Sequence, residues 1–305
     1  MPVESFAIVG DSQIELEVGD EKFLETEILP ANASFKTVDW TSSNGDVVSV
    51  NQDGKISALA VGNAVVTGSL KEGMTVEYKV TVKEPVRPAA VGDFYYSDGT
   101  TSSDYDATKT AVGIVFSTQN MTLQDSELPS SCRNGLVVSL EDITTAWQTS
   151  PQNVNKWVSE NKQYSNLANI DVACGYSNTK VLKAYNEANP DSKVLPVEHE
   201  PSVIPPAATS GWYVPSYDEL RILVEAYETI KDRFAEAGGI APDATRPNWD
   251  IGNGGSADTY RYWSSNESPY SSSQACAYQF WNGGEGFTNQ SKTKSYYRVR
   301  HVFAF

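Results

Sequence analysis

Cysteine is scarce in this sequence. The chain of 305 residues has three cysteines, Cys132, Cys174 and Cys276, and none of them lies in a CxxC pair or at metal-ligand spacing from another. An odd number leaves one bridge at most, so the fold does not depend on a disulfide framework. A Cys132–Cys174 bridge and three buried free thiols that behave as small hydrophobic side chains are both open interpretations. The cysteines therefore do not fix the redox compartment.

Long apolar runs and basic residues are also lacking. No apolar stretch is long enough to cross a bilayer, and residues 1–10 have neither the basic nor the apolar region of a secretory signal. Either the chain works without export, or its signal was removed. The 23 basic residues against 39 acidic ones give a net charge of −16, which repels phosphate groups. We expect no nucleic-acid partner and no membrane insertion.

Histidine, the usual catalytic base, occurs only at positions 199 and 301. His301 falls in a predicted core strand, so a Ser-His-Asp or Cys-His device has no base. In Glu198-His199-Glu200, neighbours on an extended chain point to opposite faces, which favours a solvated loop over a metal site. No nucleotide-binding or nucleophile motif stands in a supporting context. We therefore expect no enzymatic activity, no metal and no cofactor.

The N-terminal quarter of the chain alternates apolar and polar residues, and turn pairs such as Asn44-Gly45 and Asp53-Gly54 separate the alternating runs. Short strands at this spacing predict a small antiparallel sandwich, with Trp40 as its core anchor. The segment ILPANASFKTVDWTSSNGDVVSVNQDGKISALAVGNAVVTGSL resembles the bacterial Ig-like group 2 domain over nearly all of residues 5–83. That resemblance implies a spacer module, which in this family occurs in surface adhesins, intimin-like proteins and phage structural proteins.

A change in composition marks a second domain. Residues 84–90 (EPVRPAA) contain two prolines and predict a semi-rigid linker between an Ig-like domain of residues 1–83 and a domain of residues 91–305. In the second domain, Ser216 with Glu219 three residues later forms a capping-box pattern ahead of an apolar stripe at helical spacing. That stripe predicts a core helix.

The second domain carries its own resemblance. The elements VGDFYYSDGTTSSDYDATKTAVGIVF, GWYVPSYDEL, YWSS and YYRVRHVFAF occur in the order found in a bacterial branch of the C-type lectin-like fold. This branch is similar to the Legionella collagen-like C-terminal and Fibrobacter paralogous domains, and distantly to formylglycine-generating enzymes. The resemblance implies an all-β Ig-like sandwich followed by an α+β C-type lectin-like domain that binds a ligand.

A subset of this family, the variable proteins of diversity-generating retroelements, is the most similar. In that subset, ligand-facing positions near the C-terminus vary between fixed scaffold positions. The resemblance implies the scaffold residues Trp263, Ser264, Ser265, Phe280, Lys294, Arg298, Val299, Arg300 and Phe305. The implied ligand-binding residues are Tyr260, Tyr262, Asn266, Tyr270, Ser272, Tyr278, Gln279, Trp281, Asn282, Phe287, Asn289 and Tyr296.

Tyrosine and tryptophan supply rigid contact area, and serine and asparagine supply adaptable hydrogen bonds, so this composition is typical of a binding surface. A polar loop region without diversification is the alternative. The cysteine pair of formylglycine-generating enzymes is missing, since only the isolated Cys276 follows Gly254-Gly255-Ser256. The calcium-binding tripeptides of sugar-binding lectins have only the scrambled matches Glu200-Pro201-Ser202 and Asn248-Trp249-Asp250.

The sequence predicts a non-enzymatic, surface-displayed ligand-binding or adhesion protein. Its expected partner is an unknown cell-surface protein or glycan, contacted through the loops of residues 260–297, and its expected location is extracellular, on a cell surface or a phage particle. Two alternatives stay open: a structural fimbrial or phage-tail component, and an oxidoreductase of the formylglycine-generating type.

Overall fold

In the computed structural model, the described residues are 1–305 except 35, 85–86, 162, 164–166, 168, 243–260 and 280–286. The chain divides into two units, Met1–Pro88 and Ala89–Phe305. The division falls within the stretch predicted as a linker. The first unit is built of strands, and the described α-helices lie in the second, which combines strands and helices. None of the described helices combines the length and apolar character that a membrane crossing requires.

The first unit is a set of short antiparallel and parallel strands. They are β1 (Ser5–Ile8), β2 (Gln13–Glu17), β3 (Glu21–Phe23), β4 (Thr26–Leu29), β5 (Val38–Ser42), β6 (Val48–Val50), β7 (Lys55–Ala58), β8 (Gly62–Leu70) and β9 (Thr75–Lys83). They form sheets in the orders β1-β4, β2-β9-β8-β5 and β3-β7-β6. The predicted alternation is confirmed, since β9 buries every second residue along most of its length.

Trp40 anchors this core, as predicted. Its side chain is buried and packs at a ring-centroid distance of 6.2 Å from Tyr78. Gly68 lies directly opposite Trp40 in the neighbouring strand, and a Cβ at that position would come within 2.8 Å of the indole. A side chain at position 68 would therefore clash with the indole, which explains the glycine there.

The second unit combines strands and helices. The strands are β10 (Phe94–Tyr96), β11 (Thr101–Ser102), β12 (Ala111–Ser117), β13 (Leu136–Ser139), β14 (Ile143–Thr144), β15 (Arg261–Glu267), β16 (Gln274–Gln279), β17 (Phe287–Ser291), β18 (Arg298–Val299) and β19 (Val302–Ala304). The helices are α1 (Val154–Glu160), α2 (Gly175–Ala188), α3 (Tyr217–Ile230) and α4 (Arg233–Glu236). Two five-stranded sheets result, in the orders β11-β10-β12-β13-β19 and β14-β18-β15-β16-β17.

Helix α3 begins where the sequence predicts it. The Ser216 side chain accepts a hydrogen bond from the Glu219 backbone N–H, and the Glu219 carboxylate accepts one from the Ser216 N–H at 2.7 Å. Both halves of the capping box are thus present. The apolar stripe is buried at Leu220, Leu223 and Ile230, which confirms it as core.

The central strands β15 and β16 of the second sheet are buried on both faces. Side chains alternate along a strand, so neighbours enter different clusters. Tyr262 and Tyr278 pack in the cluster that contains the apolar residues of α3. Trp263 and Ala277 pack in the cluster that contains apolar residues of α1 and α2. Strands β15 and β16 are therefore fixed from both sides.

The cysteines are all free, so the free-thiol interpretation is confirmed over the Cys132–Cys174 bridge. Cys132 and Cys276 are buried, and Cys174 is half-buried. The lectin-like identity of this unit stays a prediction.

Candidate ligand-binding surface

Strand β15 is held by hydrogen bonds from tryptophan side chains. Trp263 Nε1 donates to the Thr145 carbonyl at 2.9 Å, and Trp147 Nε1 donates to the Ser264 carbonyl at 3.0 Å. Both indoles are fully buried. The Ser264 hydroxyl donates to the Cys276 carbonyl of β16 at 3.0 Å. These contacts fix Trp263 and Ser264 within the second unit.

The prediction that Asn266 binds a ligand is wrong, because its side chain is fully buried. Its Oδ1 accepts a hydrogen bond from the Tyr217 N–H at 2.8 Å, at the start of α3. Its Nδ2 donates to the carbonyls of Leu167 and Asn169 at 2.9 and 2.8 Å. The side chain therefore joins β15, α3 and the segment before α2, and it is not available to a ligand.

Tyr262 and Tyr278 require the same correction. Tyr262 is fully buried, and its hydroxyl donates to Asp142 Oδ2 at 2.9 Å. Tyr278 is 8% exposed, and its ring lies 5.1 Å from that of Tyr217. Both tyrosines point to the α3 face of the sheet, because strand alternation places them there. Their side chains contribute to the core instead of a contact surface.

Asp142 also anchors the end of the chain. Arg300 is fully buried, and its guanidinium donates to Asp142 Oδ2 and to the Ser139 carbonyl, each at 3.0 Å. Arg298 reaches the same carboxylate at 3.4 Å. A buried arginine is tolerated only with such partners, so the RVR sequence is a structural element.

A buried ion pair between Glu267 and Lys292 was not predicted. Glu267 ends β15, and its carboxylate accepts hydrogen bonds from the backbone N–H groups of Val154 and Asn155 at the start of α1. The Lys292 ammonium contacts the same carboxylate, and it lies 4.8 Å from the ring centroid of Trp147. Burial lowers the pKa of Lys292, although Glu267 opposes that shift. The pair connects a sheet, a helix start and a turn.

The remaining predicted residues differ in exposure. Tyr270 is 78% exposed, and Ser272 beside it is exposed; both lie in the turn between β15 and β16. Gln279, Asn289 and Tyr296 are half-buried. Tyr296 packs edge-on against Tyr297 at 5.1 Å, so part of its ring is committed to the protein.

The topology also separates these residues. The turn with Tyr270 and Ser272 lies at one end of β16, and Gln279 ends the strand at the other. Six residues of strand place the two ends roughly 17 Å apart. A small ligand cannot contact both ends at once, so the predicted set does not form one site for such a ligand.

Several predicted residues lie outside the described part of the chain. They are Tyr260, Phe280, Trp281, Asn282 and the segment Asn248-Trp249-Asp250. Phe287 begins β17, and only its backbone is described.

Burial shifts the pKa values of several titratable side chains in the second unit. Burial raises the pKa of Cys276 and of Cys174 to about 12, so both thiols stay protonated and are weak nucleophiles. Burial raises the pKa of Glu219 to about 7, while hydrogen bonds from Ser216 and the Tyr213 hydroxyl act in the opposite direction. Within the described residues, no group of three or more potential ligands is placed to hold a metal ion.

Curated relatives match only a small part of this chain. An uncharacterised protein of Clostridium acetobutylicum is 37% identical over 74 residues, which are 24% of this chain and 8% of the relative. The A type blood N-acetyl-alpha-D-galactosamine deacetylase of Flavonifractor plautii is 35% identical over 69 residues, which are 23% of this chain and 9% of that enzyme. The chain thus spans less than a tenth of the length of these two relatives.

A solved structure resembles nearly the whole chain. It is a fimbrial protein from Bacteroides ovatus with a TM-score of 0.55 and 19% identity, and the match covers 96% of this chain and 69% of that chain. At this identity the likeness concerns the fold alone. Residues 2–82 match the model of the family described as bacterial Ig-like domain (group 2), which confirms the first of the two resemblances.

Proposed function

We propose that this protein is a non-enzymatic, surface-displayed binding or adhesion protein whose second unit contacts its ligand through the turn between β15 and β16. The observation that carries the proposal is the contrast across this turn: Tyr270 is 78% exposed, whereas the residues of β15 before it are almost all buried. A large aromatic ring held in water by a rigid frame is typical of a recognition surface.

The turn has the chemistry of a small contact surface. Tyr270 offers an aromatic ring with a hydroxyl, and Ser272 offers a second hydroxyl. The Tyr270 N–H donates to the Ser268 hydroxyl at 3.1 Å, and the Ser271 and Ser273 hydroxyls lie 3.0 Å apart. These local bonds fix the turn, so little conformational entropy is lost when a ligand binds. A sugar ring or a protein side chain could stack on Tyr270.

The rest of the molecule supports presentation of this turn. The group 2 Ig-like match of residues 2–82 is consistent with a spacer, and the C-type lectin-like resemblance of the second unit is consistent with a ligand-binding tip. The partner is then a cell-surface protein or glycan. A near-copy of the 3′ coding end that differs at adenines, beside a reverse-transcriptase gene, would establish diversification of the C-terminal stretch.

The test is a comparison of two exposed apolar side chains. We expect Tyr270→Ala to lower binding to a glycan array and to a panel of purified surface proteins by about tenfold, without a change in melting temperature. Leu123→Ala is the control, because Leu123 is 85% exposed and lies outside the turn. Equal binding by both variants would reject the turn as the contact surface.

A structural fimbrial component is the second candidate, and the fold likeness to the fimbrial protein supports it. In that case the second unit would contact neighbouring subunits only. Analytical ultracentrifugation would then show self-association, and the arrays would show no bound ligand.

A further inference from the structure

A groove of about 360 Å³ crosses β2, β9 and β8 on the outer face of a sheet in the first unit. Its lining residues are all described, and none of them adjoins an undescribed residue. The side chains that point outward from these strands are exposed or half-buried, so the groove is open to solvent. Its volume is within the range of about 300–1,000 Å³ that is usual for ligand sites.

The strand register places an apolar side chain at the centre of the groove, beside two polar ones. Val65 of β8 pairs with Lys79 of β9, and Lys79 pairs in turn with Gln13 of β2. Paired residues on one face of a sheet have Cβ atoms about 5 Å apart. Within the described residues, no hydrogen bond or ion pair engages the Lys79 ammonium or the Gln13 side-chain amide, so both can meet a ligand.

The neighbouring row of the groove is polar and held in position. Thr81 pairs with Glu15 on one side and with Asn63 on the other. The Thr81 hydroxyl donates to Asn63 Oδ1 at 2.9 Å, which leaves the Nδ2 donors for another acceptor. The Lys83 ammonium contacts Glu15 Oε2 at 2.7 Å and leaves Oε1 as an acceptor. Sugar hydroxyls match such a row, because each of them both donates and accepts.

The lining also indicates which class of sugar fits. Val65 is the one apolar side chain that faces outward in the groove, so an apolar ligand would find little surface there. Glu15 and the net charge of −16 disfavour a phosphate group. An acetamido group suits the central pair, since its methyl group can pack on Val65 while its carbonyl accepts a hydrogen bond from the Lys79 ammonium.

We infer that this groove binds an N-acetylhexosamine unit of a glycan. Val65 and Lys79 contact the acetamido group, and Glu15 and Asn63 bind hydroxyls of the sugar ring. The site lies in the Ig-like unit, so it is separate from the contact surface at Tyr270 and does not depend on it. The groove is open and no aromatic ring lines it, so we expect a dissociation constant of about 1 mM.

The experiment titrates the isotope-labelled full chain with chitotriose, a trimer of N-acetylglucosamine, and follows the protein by NMR. We expect the side-chain amide signals of Gln13 and Asn63 to shift, because both line the groove. Cellotriose has the same linkage, with hydroxyls in place of the acetamido groups, and should bind at least about tenfold more weakly.

A pair of lysine variants tests the role of the ammonium. Lys79→Met keeps the aliphatic stem and removes the charge, so chitotriose should bind about tenfold more weakly. Lys22→Met is the matched control, since Lys22 is exposed on β3 in another sheet, and its affinity should stay within about twofold of the unchanged protein. Both variants should keep their melting temperature, because both lysines are exposed.

The inference is overturned by unchanged Gln13 and Asn63 signals, by equal binding of cellotriose, or by full affinity of Lys79→Met. Tyr270→Ala should bind chitotriose in the groove normally. Chitotriose shifts confined to the second unit would reject the groove and leave the proposed surface at Tyr270 intact, so the two failures give different results.

Discussion

Asn266 shows how a single buried amide can hold three segments together. Asn266 is fully buried, and Asn266→Ala removes the hydrogen-bond partner of the Tyr217 N–H and of two carbonyls. We expect the free energy of unfolding to fall by about 2–4 kcal/mol in urea titration. Ser272→Ala, an exposed control, should change it by less than about 0.5 kcal/mol. A stable Asn266→Ala variant that loses only ligand binding would restore Asn266 to the contact surface.

His301 makes stability depend on pH. Burial lowers its pKa to about 4, and its Nε2 donates to the Pro196 carbonyl at 3.2 Å. The folded-state pKa lies below the unfolded value of about 6.5. The contribution of neutral His301 to the free energy of unfolding is therefore complete above pH 6.5 and is lost as pH falls toward 4. The shift corresponds to about 3 kcal/mol.

Denaturant titrations between pH 7 and pH 4 measure this effect. His301→Gln should flatten the pH dependence over that interval, whatever its stability at pH 7. His199→Gln is the matched control, since His199 is exposed, and it should keep the original slope. The same slope in both variants would assign the acid sensitivity to other groups.

At the scale of elements, the Glu267–Lys292 pair attaches α1 to the second sheet. Lys292→Met leaves the Glu267 carboxylate buried beside the two N–H groups of α1 without its cation. We expect a loss of about 3–5 kcal/mol, with part of it recovered in the double variant Glu267→Gln/Lys292→Met. A double-mutant cycle measures the coupling. A loss below about 1 kcal/mol for Lys292→Met would show that the pair has little structural importance.

Comparison of α3 with this pair explains what a sequence can predict. The start of α3 could be predicted because Ser216 and Glu219 are three residues apart and their chemistry is local. The partner of Glu267 could not, because Lys292 is 25 positions away and charged residues are rarely expected in a core. The prediction for Asn266 is wrong because its hydrogen-bond partners are also distant in sequence. From the sequence alone, a buried polar residue between scaffold positions cannot be distinguished from an exposed ligand-binding residue.

At the scale of the whole molecule, each hydrophobic cluster takes its residues from one unit. The cluster around Trp40 and Tyr78 uses residues of the first unit, and the clusters around Trp263 and Leu223 use residues of the second. Each unit therefore has a core of its own, which is the usual requirement for independent folding.

This organisation predicts two unfolding transitions in calorimetry. Trp40→Ala leaves a large cavity opposite Gly68 and should destabilise the first unit by about 3–5 kcal/mol, so one transition moves to lower temperature or disappears. Trp263→Ala is the matched substitution in the second unit and should move the other transition. If either substitution shifted both transitions together, the units would unfold cooperatively. Separate transitions would mean that one unit stays folded when the other opens.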